Sequence, residues 1–211
     1  MSEAASSPVR IPIGARLGLA IDCVAWDAVG ADVDLSIAGM FTHEASGVAL
    51  KGGLLHLDQA LGGALAKLRA EGPFRAELAE TLVLNRLPKA FQAKGLMIVG
   101  LGDPLSINPS RLAQATHAAF RQAARLRAQS VAFAPSLLDS GLGPGAVESA
   151  PTAMLQGLLD GIAAERRLIA LGLSGRLRLS RWAFDAGASH IGEVANAFIM
   201  AFKTLDPVAP T

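Results

Sequence analysis

The chain has 211 residues, of which 51% are hydrophobic and only 5% aromatic, with no tyrosine and a formal net charge of +1. That supply of apolar residues is enough for the core of one domain and excludes a chain disordered throughout, while the near-neutral charge excludes one built as a whole for nucleic acid or acidic membranes. The lone cysteine, Cys23, leaves no intrachain disulfide and no thiolate metal cluster. No apolar run approaches the roughly 20 residues of a membrane span, and the first ten residues lack a basic-then-apolar leader, so a cytoplasmic protein with no membrane partner is expected.

Charge is unevenly spread along the chain. Residues 21–80 hold nine acids against four bases, and residues 81–130 hold seven bases against Asp103. Such asymmetry fits a partner surface or merely the solvated faces of helices.

In chain order, residues 1–10 read as a flexible tail. Arg16 to Ile21 is expected as an edge strand, followed by an irregular passage through Asp22, Cys23 and Trp26 to Gly30. Asp32 to Met40 alternates, with Val33, Leu35 and Ile37 on one face, and predicts a strand. Beyond a loop containing Gly52 and Gly53, one helix is expected from Leu54 to Ala70, stopped by Gly72-Pro73. Glu80 to Leu84 reads as a strand, and Gly95 to Gly102 is a continuous apolar run, the pattern of a central strand covered on both faces. Asn108-Pro109 supplies a capping side chain followed by proline at the first helical position, and predicts a helix to about Ala128.

Val131 to Ala134 reads as a short buried strand feeding the loop Ser140-Gly141-Leu142-Gly143-Pro144-Gly145. A helix follows, with Ser149 as its cap, Pro151 in its first turn, and Met154, Leu155, Leu158, Leu159 and Ile162 along one face. A strand, a glycine-rich turn and a helix N-terminus together make a seat for an anion or phosphate. Arg167 to Leu173 is expected as another buried strand. Arg176 to Phe184 looks like a hairpin arm or edge strand, and Ile191 to Lys203 is a helix with Val194, Phe198 and Phe202 in line. Alternating strands and helices predict an α/β fold whose sheet is mainly parallel, with helices on both faces.

Two segments carry a family likeness. Leu57-Asp58-Gln59-Ala60-Leu61-Gly62-Gly63 resembles a stretch of the N-terminal domain of leucyl aminopeptidases, and Met97-Ile98-Val99-Gly100-Leu101-Gly102 is similar to that domain's strand ending in glycine–leucine–glycine. The resemblance implies a macro-domain-like three-layer fold over residues 11–175, with a C-terminal strand and helix extension, 176–211, packed on the domain or on a partner. Phe133-Ala134-Pro135 with the loop 140–144 likewise resembles the macro-domain strand and diphosphate loop. It implies candidate ligand contacts at Ser140, Gly141, Leu142, Gly143 and Gly145, with Asp22 as counterpart of the adenine-contacting aspartate; Gly52 and Gly53 join them as candidates because their loop is expected at the strand carboxyl ends, where such sheets bind ligands. Ala38 and Phe41 stand where macro domains keep two asparagines, which argues against ADP-ribosyl hydrolysis.

No motif of the aminopeptidase metal-binding domain appears, so no catalytic residue, no metal and no cofactor is expected. The reading at this point is a non-catalytic module for regulation or assembly, with an anionic small-molecule site; the alternative is a macro-domain-type binder of ADP-ribose or a related nucleotide, and a cryptic hydrolase ranks below both. Its expected partners are a phosphate-bearing small molecule and either a second copy of the chain or an aminopeptidase subunit, with nucleic acid not expected.

Overall fold

A computed structural model describes residues 9–46, 48–135, 137 and 144–205, with no side-chain account of 144–147. The chain runs β1 (Arg10–Arg16), β2 (Leu19–Val24), β3 (Leu35–Phe41), α1 (Thr42–Ala45), α2 (Gly52–Ala60), α3 (Ala64–Glu71), β4 (Thr81–Leu84) and β5 (Gly95–Gly102). A 3-10 turn at Pro104–Ser106 precedes α4 (Pro109–Arg125), β6 (Ser130–Ala134), α5 (Pro144–Ala170), β7 (Arg181–Asp185) and α6 (Ile191–Leu205). These strands form one seven-stranded sheet in the order β1-β2-β7-β6-β3-β5-β4. The pairs from β2 through β5 are parallel, whereas β1 and β4 run antiparallel at the edges. The expected three-layer, mainly parallel α/β architecture is therefore present.

Strand periodicity assigns the two faces. Leu35, Ile37 and Phe41 of β3 join Met97, Val99 and Leu101 of β5, Val131 and Phe133 of β6, and Trp182 and Phe184 of β7 under α4, α5 and α6. Ala38 and Met40, with Leu96 and Ile98, face the other way, where Leu54, Leu57 and Leu65 of α2 and α3 cover them. Trp182 is the centre of the larger core, in contact with Phe120, Phe133 and Phe184. Val33, expected beside Leu35 and Ile37, precedes the strand and packs instead with Ala31, Ala93 and Ala132.

Five local expectations need correction. The first strand is a hairpin: Leu17 and Gly18, both with positive φ, turn β1 into β2, and β1 begins at Arg10 within the expected tail. The single helix 54–70 is two helices. Gly62 adopts φ 65°, its N–H donates to Gln59, and that of Gly63 to Asp58, a paired helix-ending pattern that needs a left-handed residue. Helix α5 opens at Pro144, itself a good first-position residue, so Pro151 falls inside the helix and Ser149 lies within it too.

The expected strand 167–173 is the end of α5. Leu168 and Ile169 are half-buried on a helix that stops at Gly172 (φ 70°), with Leu173 N–H donating to Leu168 at 2.9 Å and Gly172 N–H to Ile169 at 3.0 Å. Finally, Arg176 to Phe184 is no edge. Its second half, β7, pairs in parallel with β2 on one side and β6 on the other. Helix α4 does start at Asn108-Pro109, with the Asn108 side chain accepting from Arg111 N–H.

The terminal helix α6 lies across the β1–β2 end of the sheet. Phe198 stacks on Phe184 with ring centroids 4.4 Å apart, and a Cβ at Gly14 would strike Phe202 at 2.6 Å. Burying each large side chain contributes about 1.5–3 kcal/mol, so this helix is held by its own sheet.

Candidate functional site

Parallel strands in such a sheet end together, and the crevice beyond their carboxyl ends is where the backbone leaves room for a ligand. A cleft of about 410 Å³ opens there. Ala38 of β3, Ala134 and Pro135 after β6, and Phe184 and Asp185 of β7 reach it from the sheet, while Trp26 and Asp27 reach it from the segment after β2. Helix α5 contributes Met154, α6 contributes Phe198, and the turn after β7 adds His190. The walls are apolar and aromatic, and the polar side chains are few.

Two of these are carboxylates, each fixed by the turn it makes. Asp27 Oδ1 accepts the N–H groups of Val29 at 2.8 Å and Gly30 at 2.6 Å, while its Oδ2 lies 3.5 Å from His56 Nδ1. Asp185 Oδ1 accepts from Gly187 N–H at 2.9 Å and Trp26 N–H at 3.1 Å, tying the end of β7 to the end of β2. Asp185 Oδ2 accepts no hydrogen bond among the described residues. Burial pushes the Asp185 carboxyl up to about 6 against the pull of those two N–H groups, with Asp27 adding to the rise. The indole N–H of Trp26 also finds no acceptor among the described residues. The described part of the cleft thus offers acceptors to a ligand's N–H groups and aromatic faces to a ring.

The residues expected from sequence distribute differently. Gly53 lines the cleft, and Gly52 opens α2 beside it. Ser140, Gly141, Leu142 and Gly143 lie outside the described residues, and Gly145 belongs to the first turn of α5. Asp22 is not among the residues lining the cleft. It sits mid-strand in β2, buried, with Arg10 at 3.7 Å and Arg181 at 3.9 Å. Ala38 lines the cleft, while Phe41 is buried in the core. Asp34 works at the opposite end of the sheet, where it takes Lys94 Nζ at 2.6 Å and Gln129 N–H at 2.7 Å; the Lys94 bond holds its carboxyl below the usual range.

Sequence reasoning passed over Trp26, Asp27, Asp185 and His190. A usable signal was present in Asp27-Ala28-Val29-Gly30 and Asp185-Ala186-Gly187, since an aspartate followed closely by glycine after an apolar strand marks a side-chain-closed turn. Cys23, one strand over, is buried, and its thiol is pushed up to about 12 by burial and by Asp185. Among the described residues no group of three histidine, cysteine, aspartate or glutamate side chains could hold a metal ion.

The N-terminal domain model of the cytosol aminopeptidase family matches residues 39–162, more than half of the chain. The chain belongs to that family. In fold it is similar to a tomato leucine aminopeptidase mutant, at TM-score 0.67 and 21% identity; the match covers 87% of this chain but 35% of the tomato enzyme, so the chain spans about a third of that protein's length. It is also similar to an Oceanobacillus iheyensis macrodomain solved with ADP, at TM-score 0.63 and 13% identity, over 96% of this chain and 99% of the macrodomain. A Trypanosoma brucei macrodomain in complex with ADP matches at TM-score 0.56 and 14% identity, over 87% and 68% of the two chains. No curated protein sequence matches. This aminopeptidase N-terminal-type domain therefore shares its fold with macrodomains along nearly its whole length.

Proposed function

We propose that this aminopeptidase N-terminal-type domain is a non-catalytic ligand-binding module whose cleft takes a nucleotide of the ADP class. The observation that carries the reading is the pairing of two anchored carboxylates, Asp27 and Asp185, with the aromatic residues Trp26, Phe184 and Phe198 around one cleft at the strand carboxyl ends. A planar base with an exocyclic amino group matches such a site: its faces contact apolar walls and its N–H groups meet carboxylate oxygens. The macrodomains of similar fold include two solved with ADP. Phosphates of such a ligand are assigned in this reading to the glycine-rich stretch 140–143, through backbone N–H groups.

The assembly reading loses its motive, because the Phe198 and Phe202 face of α6 is covered by this chain's own sheet. Regulation of an aminopeptidase partner through ligand binding remains part of the proposal. A thermal-shift series with ADP, ADP-ribose and inorganic phosphate tests it. Stabilisation by ADP and ADP-ribose, and less or none by phosphate alone, is expected. No stabilisation by either nucleotide would overturn the proposal.

A further inference from the structure

At the other end of the sheet, where β2 and β7 begin, lies a second concavity of about 490 Å³. Three separate segments wall it: the β1–β2 hairpin tip, the last turns of α5, and the irregular strand-like run before β7. Each contributes arginine, namely Arg16, Arg166, and the pair Arg176 and Arg178. Leu19 and Leu179, both buried, are among the apolar residues lining it. Among the described residues no carboxylate lines it. The one acid beside it in sequence, Glu165, is engaged elsewhere, accepting from the Ser174 hydroxyl and lying 3.6 Å from Arg121 Nε. Among the described residues, no carboxylate pairs with Arg166, Arg176 or Arg178.

The position of these arginines matters more than their number. Arg176 and Arg178 alternate with Leu177 and Leu179 on an irregular segment, so apolar residues alternate with guanidinium groups. Helix α5 then brings Arg166, and the hairpin brings Arg16, to the same hollow. Arg166, Arg176 and Arg178, three cations without a carboxylate partner among the described residues, repel one another, and a ligand that carries several negative charges relieves that repulsion. Guanidinium groups match phosphate oxygens with paired, planar hydrogen bonds. The volume lies in the range of small-molecule sites.

We infer that this arginine-lined hollow is a second ligand site, separate from the cleft at the strand carboxyl ends, for a compact polyphosphate group. Two sources supply that chemistry: free inorganic polyphosphate, and the triphosphate of a nucleotide.

Titration calorimetry of the full chain at low salt, with inorganic tripolyphosphate and separately with a nucleoside triphosphate, tests the site. The wild type is expected to bind tripolyphosphate, with a dissociation constant that rises steeply as salt is added. The double variant Arg176→Ala/Arg178→Ala should bind at least tenfold more weakly, and Arg176→Lys/Arg178→Lys should recover part of the loss. Arg75→Ala/Arg86→Ala removes the same net charge from exposed positions outside the hollow and should leave affinity within about twofold. Unfolding temperatures measured without ligand establish that each variant is folded. Tighter binding of the nucleoside triphosphate than of tripolyphosphate, lost in the same variant, identifies the nucleotide as the source; equal binding identifies the free polyphosphate. No binding by the wild type, or equal weakening by the two alanine double variants, would overturn the inference.

Discussion

Asp185 provides a direct test of the electrostatics of the cleft. Its carboxyl titrates near 6 in the folded protein against an ordinary 3.8, because burial penalises the ionised form more than the N–H groups of Trp26 and Gly187 favour it. The folded state therefore holds this proton more tightly than the unfolded state. The associated stability is fully present below about pH 4 and is lost as pH rises through 6. At about 1.4 kcal/mol per pH unit, the ionised carboxylate costs the native state roughly 3 kcal/mol at neutral pH. Asp185→Asn keeps an oxygen to accept the same two N–H groups and removes the charge.

The value of about 6 already sets those two bonds against burial, so a gain of up to about 3 kcal/mol is expected at pH 7.5. For a chain of this length that is a rise of up to about 6–12 °C in Tm. At pH 5, between the unfolded and folded values, about half of the cost is present, and the gain should be about half as large. Thermal unfolding of both proteins at pH 5 and 7.5 reads the difference. A variant less stable than wild type at pH 7.5, or a gain independent of pH, would refute the reasoning.

Other sites give independent checks. Gly157→Ala should cost about 1–3 kcal/mol in urea unfolding, because the new methyl would lie 2.1 Å from the Ala113 carbonyl oxygen where α5 crosses α4; Gly192→Ala in α6, with open space around it, should cost nothing and gain about 0.5 kcal/mol. Arg127 holds a left-handed φ of 59° at the end of α4, so Arg127→Gly should stabilise by about 0.5–1 kcal/mol in the same assay. Cys23, buried and with its thiol pushed up to about 12, should resist thiol reagents at pH 8 in the native protein and react promptly on unfolding. Rapid labelling under native conditions would contradict its burial.

Much of the fold was legible because apolar periodicity reports directly on burial. Gly95 to Gly102 reads as a doubly covered strand and is one, and the Val194, Phe198 and Phe202 line of α6 meets the sheet as its spacing requires. Errors arose where a local signal had two meanings. Gly62-Gly63 falls inside the stretch expected as one helix from Leu54 to Ala70, whereas a left-handed glycine there ends the helix. Arg167 to Leu173 is apolar enough for a strand, but its pattern belongs to the last turn of a helix already in progress, and only Gly172 marks the stop. The central position of β7 was not legible at all, because strand order depends on long-range pairing that no local pattern encodes.

The candidate site was less legible than the fold for the same reason. Glycines announce themselves in a sequence, which drew the reading toward Gly52, Gly53 and the loop 140–145. The carboxylates of the cleft come from the ends of two strands, β2 and β7; Trp26, just past β2, and Asp185, the last residue of β7, lie 159 residues apart in the chain and become neighbours only through parallel pairing. Asp22 and Asp27 both follow or interrupt the same apolar strand, and the choice between them depends on which residue reaches past the strand end. The hairpin register decides it: Asp22 pairs opposite Pro12 within the sheet, whereas Asp27 lies beyond it.

The central claim, that the cleft between β2, β7, β6 and β3 is a nucleotide site, is tested most directly by titration calorimetry of ADP into wild type, Asp27→Asn and Ala186→Trp. Ala186 lines the cleft, so tryptophan there fills it, and Asp27→Asn keeps the turn-forming oxygen while exchanging the other for an amide N–H group that repels a base's amino group. Saturable one-site binding by wild type, weakened about tenfold or more by Asp27→Asn and abolished by Ala186→Trp, with both variants folded, is the predicted result. Absence of ADP binding by wild type, or unchanged affinity in a folded Ala186→Trp variant, would contradict it.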